Sequence, residues 1–88
     1  MAELPARAAV VGCGVIGAAW VARLRLRSID VAVYDPSQTA SEVLDAVMAD
    51  AVAAWAALGL ATDQVGSLAI VDSVAEAVDG AGLVQESV

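Results

Sequence analysis

A doubly wound parallel α/β sheet is the fold class this sequence predicts, on three observations. An apolar stretch, Ala8 to Val11, runs directly into three closely spaced glycines and out into a helical segment. Strand-like and helix-like segments then alternate to the end of the sequence, an order that gives parallel pairing through crossover connections. Hydrophobic residues make up 60% of the 88-residue chain and mean hydropathy is +0.78, yet every apolar run long enough to cross a bilayer is broken by a charge or by glycine. Strands covered on both faces explain that composition, because they are apolar throughout instead of alternating.

Residues 1 to 6 read as a short, poorly ordered lead-in. The first strand is expected from about Arg7 to Cys13, and the first helix from Val15 to Arg27, with Ile16, Trp20 and Leu24 at helical spacing. No glycine closes this helix, so Arg27-Ser28-Ile29-Asp30 should form a tight and less typical turn. A second strand, Ile29 to Tyr34, ends on Asp35, and Pro36 stops it. Ser37 or Thr39 can cap a long second helix running to about Leu58, with Leu44, Met48, Ala51, Trp55 and Leu58 as its apolar stripe. Gly59 supplies the left-handed residue that ends it. A polar connection from Thr62 to Gly66 leads to a third strand, Ser67 to Val71. Ser73 and Glu76 have capping-box spacing for a short helix that stops before Gly80, and Leu83 to Ser87 reads as a fourth strand. With right-handed crossovers the spatial order is 3-2-1-4.

The glycines carry the chemistry. Gly12, Gly14 and Gly17 fit the G-x-G-x-x-G pattern of a dinucleotide site in a Rossmann-type sheet. Gly12 permits the turn off the strand, Gly14 keeps side chains away from an incoming pyrophosphate, and Gly17 lets the helix pack close to its strand. The helix that starts at Val15 aims unpaired N–H groups and the positive end of its dipole at the same spot. The loop residues Gly12, Cys13, Gly14, Val15, Ile16 and Gly17 are therefore the candidate cofactor cradle. The same pattern arises by chance in alanine- and glycine-rich chains, where it is an ordinary turn with no ligand. Asp35 weighs against that: it stands eighteen residues beyond Gly17, where such folds hold the carboxylate for the adenosine ribose. That carboxylate also repels a 2′-phosphate, and Pro36-Ser37-Gln38 offers no arginine to reverse the preference, so NAD is favoured over NADP. FAD sites share both features and stay open as an alternative.

Eleven acidic residues against four arginines and no lysine give a net charge of −7, which makes nucleic acid and anionic membranes poor partners. Arg23, Arg25 and Arg27 read as cations at a helix C-terminus, not as a binding patch. One cysteine and no signal-peptide pattern point to a reducing cytoplasm. With no histidine or second cysteine, Cys13 is a small filler in the loop, neither nucleophile nor metal ligand. Trp55 could stack on an adenine, but its place on the stripe favours packing.

The runs Gly12-Cys13-Gly14-Val15-Ile16-Gly17-Ala18-Ala19-Trp20, Val33-Tyr34-Asp35-Pro36 and Leu83-Val84-Gln85-Glu86-Ser87-Val88 together resemble the N-terminal domain of the L-3-hydroxyacyl-CoA dehydrogenase family. The tryptophan and the Val-Gln-Glu-Ser run look most like its carnitine 3-dehydrogenase and lambda-crystallin-like branch. The resemblance implies NAD as cofactor, a secondary hydroxyl as substrate, a link to fatty acid metabolism, and a place for Glu86 near the nicotinamide half; a solvated strand end is the plainer account of Glu86. Gly82 stands where the family commonly has aspartate, and Ser28 where it has glycine. Family members continue into further strands with a catalytic histidine paired to a glutamate, and then a helical domain for substrate and dimer formation. Residues 1–88 are accordingly expected to be the N-terminal portion of a dinucleotide-binding domain that binds NAD without catalysing hydride transfer, since no histidine is present to act as base. A non-enzymatic nucleotide sensor or crystallin-like module is the other class. An uncovered fourth strand would favour a homo-oligomer through the sheet edge.

Overall fold

In the computed structural model, which describes residues 4–60 and 64–87, the strands end where glycine or a polar residue takes the chain out of the ladder. β1 (Arg7–Val11) stops short of Cys13 because Gly12 adopts a φ of +90°. α1 (Val15–Leu26), β2 (Asp30–Tyr34), α2 (Ala40–Ala57), β3 (Leu68–Ile70), α3 (Val74–Val78) and β4 (Leu83–Glu86) follow. All pairings are parallel and the order is β3-β2-β1-β4, as the alternation of elements requires. In register, Ala9 lies beside Ala32 on one side and Val84 on the other. β2, β3 and β4 are each shorter than expected by one or two end residues. Met1 to Glu3 of the lead-in, Ala61 to Asp63 in the connection before β3, and Val88 lie outside the described residues.

The two faces of the sheet are covered unequally. Ala8, Val10, Val31 and Val33 meet Ala18, Val21 and Leu24 of α1 and Leu44, Met48 and Trp55 of α2 in the main core. On the other face Ala9 and Ala32 meet Ala77 of the short α3, with Tyr34, Val71 and Ala81 at the margin. β1 and β2 are therefore buried, whereas Ile70 of β3 and Leu83 and Val84 of β4 remain exposed.

Of the residues expected to form the α1 stripe, only Leu24 lies on its buried face. Gly17, Ala18, Val21, Ala22 and Leu24 turn inward, while Ile16 is 71% and Trp20 37% exposed. Gly17 must face the Gly12 carbonyl, and at 100° per residue this rotates Ile16 outward. On α2, Leu44, Met48 and Trp55 are buried and Ala51 is half-buried, but Leu58 is exposed because it is the C-cap, past the last turn. Thr39 is the N-cap residue, but its own side chain makes no cap bond: its backbone is already helical (φ −94°, ψ −1°), and its hydroxyl lies 2.9 Å from Ser37 Oγ. Ser37 Oγ accepts from the Thr39 N–H at 3.3 Å at the entrance to the helix. Ser73 does cap α3, its Oγ accepting from the Glu76 N–H at 3.1 Å.

The turn after α1 solves the missing-glycine problem with serine. Ser28 takes φ +63°, and its N–H and that of Ile29 donate to the carbonyls of Arg25 (2.9 Å) and Leu24 (3.2 Å), the double closure that glycine usually makes. The Ser28 hydroxyl donates to the Gln64 carbonyl at 2.6 Å. Arg25 then clasps the far end of the connection: its Nε donates to the Gly66 carbonyl (2.8 Å), and its backbone carbonyl accepts from the Gly66 N–H (2.8 Å).

Candidate functional site

The glycine loop sits at the carboxyl end of β1, in the middle of the sheet, with β2 and β4 on either side. The Gly12 N–H donates to the Tyr34 carbonyl at 2.8 Å, so the loop is anchored to the end of β2. A methyl group at Gly17 would overlap that same Gly12 carbonyl; the helix passes its own strand too closely for any side chain. Gly14 is different. It is the N-cap of α1 and exposed, with open space where a Cβ would stand.

The first intrahelical bond of α1 runs from Ala18 N–H to the Gly14 carbonyl (2.9 Å), which leaves the N–H groups of Val15, Ile16 and Gly17 without partners inside the helix. No acidic side chain lies in that first turn. The side chains of Val15 and Ile16 are turned to solvent, so both residues contribute backbone, not side chain, to the cradle. An anion arriving here meets aligned donors and the positive end of a twelve-residue helix.

Asp35 closes the site from the β2 side. Its Oδ2 accepts from the Cys13 N–H at 2.5 Å and its Oδ1 from the Ser37 N–H at 2.7 Å. An ionised carboxylate has about four lone-pair positions, and two are taken here. One remains on each oxygen, the arrangement a vicinal diol such as a ribose can fill. Cys13 is buried in the main core. Burial, and secondarily the Asp35 carboxylate, push its thiol above the ordinary range, so it stays protonated and inert at neutral pH.

Glu86 is exposed at the end of β4, beside Val11. Side chains alternate along a strand, so Glu86 shares the face of Ala9 and Ala32, opposite α1. The structure thus brings Gly12 to Gly17 and Asp35 together and sets Glu86 across the sheet edge from them. Trp55 packs in the main core. Sequence reasoning did not foresee the bond from the Cys13 backbone to Asp35, which depends on the exact rise of two neighbouring strands and leaves no mark on residue type.

Comparison with known proteins agrees with this geometry. The family model of the 3-hydroxyacyl-CoA dehydrogenase NAD binding domain matches residues 7–88. The L-carnitine dehydrogenase/betainyl-CoA thioesterase of a Rhizobium species is 48% identical over 83 residues, which is 93% of this chain and 17% of that protein. The L-carnitine dehydrogenase of Mesorhizobium japonicum is 45% identical over 85 residues, covering 93% of this chain and 23% of its own length. Among solved structures, a 5-formyl-3-hydroxy-2-methylpyridine 4-carboxylic acid 5-dehydrogenase, an NAD+ dependent dismutase, superposes with a TM-score of 0.80 at 30% identity, over 94% of this chain and 28% of that one. The chain therefore spans only about a quarter or less of the length of these relatives. Its fold is the Rossmann fold and its cofactor is NAD: the chain belongs to the family of 3-hydroxyacyl-CoA dehydrogenase NAD-binding domains.

Proposed function

We propose that Gly12, Cys13, Gly14, Val15, Ile16 and Gly17 cradle the pyrophosphate of NAD, that Asp35 accepts hydrogen bonds from the adenosine ribose, and that Glu86 lies near the nicotinamide half. The observation that carries this reading is the Asp35 carboxylate, held by the Cys13 and Ser37 N–H groups beside the unpartnered N-terminus of α1. Bound NAD supplies a hydride acceptor. The chain's own residues bind and orient it, and with no histidine among them they lack the base such a reaction uses.

In the whole protein this domain serves an NAD-dependent dehydrogenase acting on a 3-hydroxy acid of the carnitine type or on a 3-hydroxyacyl-CoA. The names and family of the relatives support that assignment. Residues 1–88 are the N-terminal portion of its dinucleotide-binding domain, and the catalytic and substrate-binding parts lie elsewhere. Among the described residues β4 is an outer strand, and its free backbone edge is where we place association between copies. A single buried cysteine agrees with a reducing, cytoplasmic compartment, and no helix among the described residues is long and apolar enough to cross a membrane.

Calorimetric titration with NAD, NADP and FAD, repeated on Asp35→Ala, tests the reading. NAD should bind in preference to the other two, and the variant should bind it about tenfold to a hundredfold more weakly, the loss expected of charge-assisted hydrogen bonds. Equal NAD affinity in the variant would remove Asp35 from the site.

A further inference from the structure

We propose that Ser87 is a further cofactor-contacting residue, its hydroxyl donating a hydrogen bond to a pyrophosphate oxygen of bound NAD. The inference rests on the assignment of the glycine loop to the pyrophosphate.

Ser87 directly follows β4, and its N–H donates to the Val11 carbonyl at 2.8 Å. It thus stands beside Gly12 just as Glu86 stands beside Val11. Alternation turns it to the face opposite Glu86, the α1 face. Its Cβ lies 3.5 Å from where a Cβ on Gly17 would be, so the side chain reaches the first turn of α1. The floor of the loop therefore carries one hydroxyl.

That hydroxyl is an anomaly. Ser87 Oγ is buried and has no hydrogen-bond partner, and it is the one side-chain polar atom in that condition among the described residues. Buried hydroxyls are almost always paired, because leaving one unmade forfeits its bonds to water without replacement. The free groups of the first α1 turn are N–H donors, and the Ser87 hydroxyl has no hydrogen-bond partner in the structure; a phosphate oxygen held by those same N–H groups supplies an acceptor for its proton. A neutral hydroxyl suits that position, where a carboxylate would repel the anion; Glu86, one residue earlier, faces away. Ser87 as a whole is only half-buried, so the contact asks for no more than a rotamer step that carries Oγ toward the loop opening.

The test is Ser87→Ala in the intact full-length chain, with two readouts: NADH affinity by calorimetry and thermal unfolding without cofactor. We expect NADH to bind at least fivefold more weakly while the unfolding temperature of the free protein holds or rises, since the substitution deletes an unpaired buried group. Ser87→Cys, close in size and a weaker donor, should bind NADH with intermediate affinity. Unchanged NADH affinity in Ser87→Ala overturns the inference. A lowered unfolding temperature with unchanged affinity does so as well, and shows that the hydroxyl serves the free fold, for instance through water. If the unaltered protein fails to bind NADH, the assignment of the loop falls and this inference with it.

Discussion

Asp35 accepts two backbone N–H bonds before any ligand arrives, so both of its oxygens are fixed and no ordering is left for the cofactor to supply. The glycines divide their work in a way that two alanine variants can separate. Gly17→Ala puts a methyl into the Gly12 carbonyl and should cost about 1–3 kcal/mol of stability, as overpacking does. Gly14→Ala meets open space at an ordinary negative φ, so the fold should lose less than about 1 kcal/mol, the scale of a helix cap. On the proposed cradle its methyl would stand in the cofactor's approach, and NAD binding should weaken. Urea unfolding beside calorimetry checks both, and a Gly14→Ala variant that unfolds early but binds normally would reverse the assignment. Ser28 invites a similar comparison. Its left-handed φ costs roughly 1–2 kcal/mol relative to glycine, and its hydroxyl bond to Gln64 returns about 1. Ser28→Gly should therefore leave stability nearly unchanged, whereas Ser28→Ala, which keeps the strain and loses the bond, should lower it by about 1 kcal/mol.

Between elements, two polar clasps hold what the apolar pattern does not. Arg25 joins the last turn of α1 to Gly66, and its guanidinium also lies 3.1 Å from the Met48 sulfur on α2. Read from sequence it is one of three cations at a helix end, and only the long-range contact distinguishes it from Arg23, which lies over the Trp20 ring, 5.8 Å from its centre. Arg25→Ala should cost about 1.5–3 kcal/mol in urea unfolding, the range for bonds to a charged group, and Arg23→Ala should cost much less. The second clasp is Asp30, whose Oδ1 accepts from the Ser67 N–H at 2.8 Å and ties β2 to the entrance of β3. That bond, helped by the Arg7 charge, holds the Asp30 carboxyl below its ordinary range. A carboxyl depressed in the folded state stabilises it above the unfolded value of about 3.9, and that contribution is lost as pH falls through the folded one. The difference in unfolding temperature between the wild type and Asp30→Asn should therefore persist at pH 6 and close below about pH 4. A difference independent of pH would mean that the charge contributes nothing.

At the scale of the molecule, the strand order and the position of the glycine loop were legible because each rests on a local signal: glycine spacing, a strand-ending Asp35-Pro36, a serine three residues before Glu76. The buried face of α1 was not, since it is set by the close approach of Gly17 to Gly12 and not by where the large apolar residues fall. Nor was the unequal cover of the sheet. Apolar β3 and β4 read like β1 and β2, yet α1 and α2 pack on one face and the five-residue α3 is all that the described residues set against the other. That asymmetry has a measurable consequence. Amide hydrogens of β1 and β2, buried and paired on both sides, should exchange only through global unfolding, and those of β4 and α3 faster, through local opening. Adding NADH at about a hundred times its dissociation constant lowers the unfolded population about a hundredfold, a stabilisation of about 2.7 kcal/mol. Exchange in β1 and β2 should slow by that full factor. If opening of β4 and α3 leaves the cradle intact, their exchange should barely change; if it dismantles the cradle, they too should slow a hundredfold. The cradle reading requires the second result at the end of β4, next to Gly12, and the first in α3, whose contacts are Ala9 and Ala32 on the far face. A uniform response across β4 and α3 would show that the sheet opens as one unit and that its thin face is no weaker than its thick one.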